Sequence, residues 1–310
     1  MYAIECSNLN KQVGNFRFHD VAFALEPGYI LGVIGVNGAG KSTLLKCLMD
    51  ESVIPSVTDV RIYGESIKEN PMGTKKRMAF VLNECPFPMG LSGREQVNLF
   101  SPLYEKFSTE RFFHWMAHFQ VNERTPLRKL SKGQLMKFQL AFALSYDADL
   151  YFLDEPSANL DVGFREEFYQ IVRDLISDGT KSVMYVTQLV EELDGLADYI
   201  LWLDHGKQLL YTDIETMRER FQIVSGLERS ISCIPYNLTV GKKYSANHNE
   251  ALIDCWQGEL MLPLKKRSAG IDEIMCYFAE NPSRMKPLLL DTKEKAKSAS
   301  GYRYGGGIYV

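Results

Sequence analysis

The stretch Tyr-Ile-Leu-Gly-Val-Ile-Gly-Val-Asn-Gly-Ala-Gly-Lys-Ser-Thr, residues 29–43 of this 310-residue chain, decides the fold. Residues 29–35 are an apolar run with the length of a buried strand. Residues 35–42 match the pattern GxxxxGK followed by Ser or Thr, and a helix is predicted from Lys41 onward. Glycines let such a loop curl so that consecutive N–H groups face a chain of phosphates, and the helix N-terminus adds its positive dipole end. The sequence therefore predicts a nucleotide-binding loop.

The loop suggests a role for its polar side chains. Lys41 can reach the β- and γ-phosphates of a nucleoside triphosphate, and the Ser42 hydroxyl can bind Mg²⁺. The alternative is a chance glycine turn, and the flanking strand and helix argue against it. The predicted nucleotide-binding residues of this stretch are Gly35, Val36, Asn37, Gly38, Ala39, Gly40, Lys41, Ser42 and Thr43.

A second apolar run ends in two carboxylates. Residues 150–155 read Leu-Tyr-Phe-Leu-Asp-Glu, so Asp154 and Glu155 stand at the end of a predicted strand. Asp154 can hold Mg²⁺ through water, and Glu155 can polarise an attacking water as a general base. The plain alternative is a pair of solvated acids, but the phosphate loop upstream favours the catalytic interpretation.

The order of the predicted elements indicates an α/β fold. Strand signals separated by helical stretches recur at residues 57–63, 78–82, 149–153, 182–187 and 199–203. This alternation is typical of a mainly parallel sheet covered by helices. Residues 2–8 and 16–25 alternate apolar and polar positions and predict antiparallel strands.

Residues 90–146 have helical periodicity and predict a helical subdomain. Aromatic and apolar side chains recur at helical spacing on one face, at Phe112, Trp115, Met116 and Phe119. Such a face either packs in the core of the subdomain or forms a groove for a partner helix.

A third motif relates the chain to a family. Residues 130–134, Leu-Ser-Lys-Gly-Gln, precede a predicted helix and resemble the LSGGQ signature of the ABC ATPases, with Lys132 in place of a glycine. Residues 156–161, Pro-Ser-Ala-Asn-Leu-Asp, resemble the D-loop of that family. The resemblance covers about residues 1–215 and rests on several motifs in the family's order.

The resemblance implies a site that a single chain does not complete. Two such domains pack head to tail, and each ATP, with its Mg²⁺, lies between the phosphate loop of one and the signature of the other. Ser131, Gly133 and Gln134 would thus bind the nucleotide held by the partner. The implied partners are a second copy or a paralogous ATPase subunit, together with an integral membrane permease.

Three positions depart from the family pattern. Asn83 aligns with the family's Q-loop glutamine and is a candidate Mg²⁺ ligand. Gln188 aligns with the switch histidine; an amide can donate to a phosphate but cannot become cationic. Val13 stands where an aromatic residue usually stacks on adenine, so Phe16 is the candidate replacement. These departures bear on the rate of hydrolysis more than on ATP binding.

Net charge, cysteine spacing and the lengths of apolar runs indicate where the protein is located and which partners it lacks. The net charge of −4 argues against a nucleic-acid partner. The six cysteines are scattered, which suits reduced thiols in the cytosol. The N-terminus lacks the apolar core of a signal peptide, and no apolar run approaches the roughly 20 residues that span a bilayer. We expect a cytoplasmic protein that reaches the inner face of the membrane through its permease.

Residues 25–32 resemble ATPase subunits paired with ABC-2-type permeases, a group of exporters. Residues 216–282 are then predicted to be a small C-terminal α+β extension, and residues 283–310 a disordered tail. Two alternatives are an ATP-binding regulatory subunit with weak turnover and an ABC ATPase outside transport. The latter usually carries two ABC cores or a long coiled coil, which the sequence lacks.

Overall fold

A computed structural model describes residues 1–14, 16–49, 58–245 and 248–284. The chain divides into two compact units. The first contains Met1–Gln188 and Leu203–Lys207, and the second contains Leu189–Trp202 and the described residues from Gln208 onward. Neither break falls at residue 215, and the end of the ATPase domain there stays a prediction. Most of the predicted tail lies outside the described residues.

The bounds of the elements follow the predicted pattern over most of the first unit. The strands are β1 (Ile4–Leu9), β2 (Gln12–Val13), β3 (Phe16–Arg17), β4 (Val21–Leu25), β5 (Ile30–Ile34), β6 (Asp59–Ile62), β7 (Glu65–Ser66), β8 (Met78–Val81), β9 (Leu150–Asp154), β10 (Ser182–Val186), β11 (Tyr199–Asp204), β12 (Lys207–Asp213), β13 (Phe221–Gly226), β14 (Thr239–Tyr244), β15 (Asn249–Asp254) and β16 (Lys265–Ser268). The helices are α1 (Lys41–Met49), α2 (Pro71–Lys76), α3 (Gly93–Phe100), α4 (Thr109–His118), α5 (Lys132–Ala143), α6 (Val162–Ile176), α7 (Ile214–Arg220), α8 (Glu228–Ser232) and α9 (Ile271–Glu280).

A parallel arrangement of β5, β10, β9 and β8, in that order, forms the core of the first unit. Every residue of β5, β9 and β10 is buried, which explains why these strands are continuous apolar runs in the sequence. Val186 pairs with Val33 on one side and with Asp154 on the other. The carboxyl ends of the strands therefore meet at one edge, where ligands bind in open α/β sheets.

An antiparallel sheet with the order β4-β1-β6-β7 lies in the same unit. Ile4 pairs with Leu25 and with Ile62, and the alternating burial along β1 turns one face of the strand inward. The predicted antiparallel strands are thus present. The stretch 16–25 is divided, however, because Asp20 adopts a left-handed conformation, with φ of 51°, just before β4.

Helices α3, α4 and α5 form the predicted helical stretch. Ser92 caps α3 and Ser131 caps α5, each in a reciprocal capping box with the residue three positions later. Phe112, Met116 and Phe119 are buried, so these three side chains belong to a core and do not line an open groove. Their burial favours the packing interpretation of the aromatic face.

The second unit contains both helices and strands, and the bounds of the predicted extension stay a prediction. Its sheet has the order β14-β15-β13-β16. Residues 228–232 form α8, which buries Ile231 against Val224 and Ile253. The basic residues of 265–267 lie in β16.

Two further observations concern the cysteines and the length of the apolar helices. All six cysteines are free thiols, as the scattered spacing predicts. In the part of the chain that the structure describes, no helix combines the length and the apolar character needed to cross a membrane.

A buried ion pair in the second unit generates the first prediction. Arg220 donates to Asp254 through Nε at 3.1 Å and Nη2 at 2.8 Å, and the two side chains are only 4% and 10% exposed. Asp254→Ala removes the carboxylate that faces the buried guanidinium and should lower the opening free energy of β15 by about 3–5 kcal/mol. Amide hydrogen exchange along β15 measures this loss.

The matched control is Asp59→Ala, which breaks the exposed pair between Asp59 and Arg61. Because solvent screens that pair, its loss should cost less than about 1 kcal/mol. If Asp254→Ala and Asp59→Ala both lowered stability by the same small amount, burial would not be the reason for the strength of the Arg220–Asp254 pair.

Candidate nucleotide site

The phosphate loop joins the end of β5 to the start of α1. Gly38 and Gly40 have φ values of 81° and 107°, a region that side chains with a Cβ rarely adopt. A Cβ at Gly35 would also collide with the backbone oxygen of Leu203. The glycines of the pattern are therefore required by the curl and close packing of this loop.

Lys41 lies inside the curl of the loop. Its Nζ donates to Gly35 O at 2.7 Å, and the side chain is only 6% exposed. Burial lowers the pKa of Lys41, and the carboxylates of Glu155 and Asp154 oppose that effect. The ammonium group thus lies within the electrostatic influence of both acids, and its contact with the phosphates stays a prediction.

Asp154 ends β9 with a carboxyl group that is 7% exposed. Burial, and then the charge of Glu155, raise its pKa, while a hydrogen bond from Ser42 and the charge of Lys41 lower it less. No donor among the described residues reaches Asp154 Oδ1. An unpaired buried carboxylate oxygen beside a hydroxyl suits Mg²⁺, which prefers oxygen ligands and keeps several waters. Ser42 and Asp154 thus fit the predicted metal.

Glu155 and Gln188 come together beyond the ends of β9 and β10. The Gln188 amide donates directly to Glu155 Oε1, and Glu155 N donates to Val186 O at 2.8 Å. Glu155 has a φ of 48°, which is uncommon for a residue other than glycine and marks a constrained backbone. The two residues that the sequence proposes for hydrolysis are therefore in contact.

Phe16 packs against the phosphate loop. A Cβ at Gly40 would stand 2.9 Å from Phe16 Cε1, and the ring meets Phe18 edge-on with 5.0 Å between centroids. The half-buried ring thus lies beside the loop, and its stacking on adenine stays a prediction. The side chain of Val13 lies outside the described residues.

The signature residues are placed at the N-terminus of α5. Ser131 N donates to Gln134 Oε1 at 3.0 Å, and Gln134 N donates to Ser131 Oγ at 3.2 Å. A Cβ at Gly133 would stand 2.7 Å from Asn159 O in the D-loop stretch, so only glycine fits there. Helix α5 starts three residues earlier than the sequence predicts, because the signature itself forms its first turn.

Asn83 is exposed and lies just after β8. Sequence reasoning missed Gln139, whose amide is buried on α5 and bonds to the backbone of Leu82. A single glutamine among apolar residues at 138–144 was the available signal. No cluster of three acidic, histidine or cysteine ligands occurs within the described residues.

A phosphate loop before a helix, an acid at the end of another strand of the same parallel sheet and a capped signature helix define a P-loop ATPase domain. Residues 18–158 match the ABC transporter family, and the chain contains an ATP-binding domain of that family.

Curated relatives support the same assignment. The ABC transporter ATP-binding protein YtrB of Bacillus subtilis is 26% identical over 221 residues, which cover 70% of this chain and 74% of YtrB. The daunorubicin/doxorubicin resistance ATP-binding protein DrrA of Streptomyces peucetius is 31% identical over 212 residues. That match covers 66% of this chain and 63% of DrrA, so the chain spans less than two thirds of this relative.

A solved structure shares the fold. It is a dimeric ATP-binding cassette in a post-hydrolysis state with bound ADP and Pi, and it has a TM-score of 0.60 at 19% identity. The match covers 68% of this chain and 98% of that one. The architecture is therefore that of an ABC ATPase domain.

The desolvated carboxylate of Asp154 generates a prediction. Asp154→Asn keeps the volume of the side chain and removes a buried charge, so the nucleotide-free protein should gain about 0.5–2 kcal/mol of stability. The same substitution should abolish the extra stabilisation that Mg²⁺ gives to the ATP complex. Thermal unfolding with and without Mg·ATP measures both effects.

The stability that Asp154→Asn adds to the nucleotide-free protein should become smaller as the pH falls. The pKa of Asp154 is raised by burial, so protonation in the folded protein removes the same unfavourable charge from the unaltered chain. Asp213→Asn is the control, because asparagine caps α7 as well as aspartate does and no effect on Mg·ATP is expected. Loss of stability in Asp154→Asn would contradict the desolvation argument.

Proposed function

We propose that this chain is an ATP-hydrolysing subunit that powers a separate membrane permease, an exporter, through ATP-dependent dimerisation. The observation that carries the proposal is the contact between Gln188 and Glu155 at the same edge of the sheet as Lys41 and Asp154. A carboxylate held in this way beside a phosphate loop is suited to hydrolysis as well as to binding.

The chain's own groups account for each requirement of phosphoryl transfer. Backbone N–H groups of the loop and the N-terminus of α1 bind the phosphates, and Lys41 neutralises charge on them. Ser42 and Asp154 would hold Mg²⁺, which would supply further positive charge at the phosphate oxygens. Glu155 accepts a proton from the attacking water, and Gln188 orients the carboxylate.

Dimerisation completes the site in this proposal. Helix α5 begins at Lys132, so the N–H groups of its first turn, including that of Gly133, can face an anion held by a second copy. The close approach of Gly133 to Asn159 O keeps the signature and the D-loop stretch as one surface. The dimeric state of the ATP-binding cassette that shares the fold supports this arrangement.

The permease and the location are inferred from the resemblance and from relatives. DrrA is named for resistance to daunorubicin and doxorubicin, which suits export. Direct attachment to anionic lipid through 265–267 is a weaker explanation, because Arg267 makes two bonds to Glu273, at 2.6 and 2.5 Å. We therefore place the protein at the inner face of the membrane through a permease.

An ATP-binding regulatory subunit with weak turnover is the second candidate. The neutral Gln188 favours it, since an amide stabilises developing phosphate charge less than a charged donor does. The rate of hydrolysis distinguishes the two candidates.

Glu155→Gln should lower kcat by about 10²–10⁴-fold, because the amide cannot accept the proton from water. ATP binding should remain, so the variant should accumulate as an ATP-bound dimer. Steady-state ATPase assays and gel filtration with ATP measure the two outcomes.

Lys41→Ala is the matched variant that should lose ATP binding and with it the dimer. An unchanged turnover rate in Glu155→Gln would remove this residue from the catalytic role. Monomeric Glu155→Gln with bound ATP would instead contradict the dimer.

Gln188→Ala should lower kcat by about tenfold, since loss of roughly 1.4 kcal/mol of transition-state stabilisation has that effect. Gln188→His should raise kcat, because a cationic donor is about twice as strong as a neutral one. ATP affinity should stay near normal in both. The exposed Gln170, which bonds to Asp174, offers Gln170→Ala as a control with unchanged turnover. Full activity of Gln188→Ala would show that this residue lies outside the site.

A further inference from the structure

One buried amide holds the backbone next to Asn83. Gln139, on the signature helix α5, is 2% exposed. Leu82 N donates to Gln139 Oε1 at 3.0 Å, and Gln139 Nε2 donates to Leu82 O at 2.9 Å. A single side chain therefore satisfies both backbone groups of the residue that precedes Asn83.

The other end of the same loop is also tied to the signature region. Leu127 N donates to Leu91 O at 2.9 Å, and Arg128 N donates to Met89 O at 2.9 Å. Residues 127–128 lie just before the signature at 130–134. The loop 82–91 is thus fixed at both ends to the stretch of chain that presents Ser131.

A second buried glutamine shows what is special about the first. Gln96, on α3, is 0% exposed and donates to Pro88 O at 2.6 Å. Proline has no N–H to return, and no donor within the described residues reaches Gln96 Oε1. Gln96 makes one bond in the middle of the loop, whereas Gln139 makes two at the residue beside Asn83.

We infer that Gln139 is a positioning residue for ATP hydrolysis, which couples the segment carrying Asn83 to the signature helix. The inference rests on the proposed function. Two hydrogen bonds from one planar amide fix both the distance and the orientation of Leu82 relative to α5. A displacement of Asn83 on ATP binding is then passed to Ser131, and the two elements move as one body.

A leucine in place of the glutamine tests the coupling. Gln139→Leu replaces the amide with an apolar side chain of similar volume and removes both bonds. Its kcat should fall by about tenfold, while the KM for ATP stays within about twofold, because the nucleotide-binding loop is untouched. If Gln139 only filled space, its replacement by leucine would not lower kcat while leaving KM unchanged.

Gln139→Glu provides a conservative variant. A protonated carboxyl has one donor and one acceptor, as the amide does, whereas the ionised form loses the donor facing Leu82 O. The ratio of its kcat to that of the unaltered protein should therefore rise as the pH falls. A flat ratio, with Gln139→Leu also fully active, would overturn the inference.

Gln96→Leu is the control, since it removes an equally buried glutamine that bonds to the same loop from α3. Its kcat should stay within about twofold of the unaltered value, and a loss equal to that of Gln139→Leu would mean general loosening of the loop.

Amide hydrogen exchange tests the coupling without turnover. On ATP binding, residues 82–91 and 127–134 should change protection together in the unaltered protein and separately in Gln139→Leu. Absence of ATPase activity in the unaltered protein would defeat the proposed function, and the exchange result would still decide this inference. Independent changes of the two stretches in the unaltered protein would overturn it.

Discussion

The parallel register of β5, β10 and β9 is the constraint on which the site depends. Val186 pairs with both Val33 and Asp154, so the chain leaves three adjacent strands at the same level. The phosphate loop, Glu155 and Gln188 follow directly from those strand ends. A slip of one residue would turn every side chain of a strand to the opposite face and separate the acid from its amide partner. The buried apolar residues of the strands oppose such a slip, and core packing therefore fixes the catalytic geometry.

Several groups of the site make the fold less stable. Asp154 is desolvated next to Glu155, which raises the pKa of its carboxyl group. Lys41 is buried against carbonyl oxygens, and burial lowers its pKa. Glu155 sits in an uncommon backbone conformation. Each of these features is unfavourable for folding, and a protein retains such features where Mg²⁺ and phosphates balance the charges. They therefore support an ATPase over an inert regulatory module.

The sequence predicts the parts of the site that depend on local pattern. The glycine loop, the strand ending at Asp154 and the helix from Lys41 follow from spacing and periodicity alone, whereas the contact between Glu155 and Gln188 is seen only in the folded sheet. What it misses depends on packing between distant segments. The bonds from Gln139 to Leu82 join residues 57 positions apart, and α8 forms because Ile231 reaches a core that only the folded sheet creates. Single-chain periodicity carries no signal for either.

The central claim is that hydrolysis needs the phosphate loop of one copy and the signature of another. It is tested most directly by mixing Lys41→Ala, which has an intact signature, with Ser131→Arg, which has an intact phosphate loop. Each variant alone should show no ATP hydrolysis, and the mixture should regain activity because a heterodimer contains one complete site. Activity that stays absent in the mixture, although the two proteins associate, would contradict the composite site. Full activity of Ser131→Arg by itself would contradict it as well.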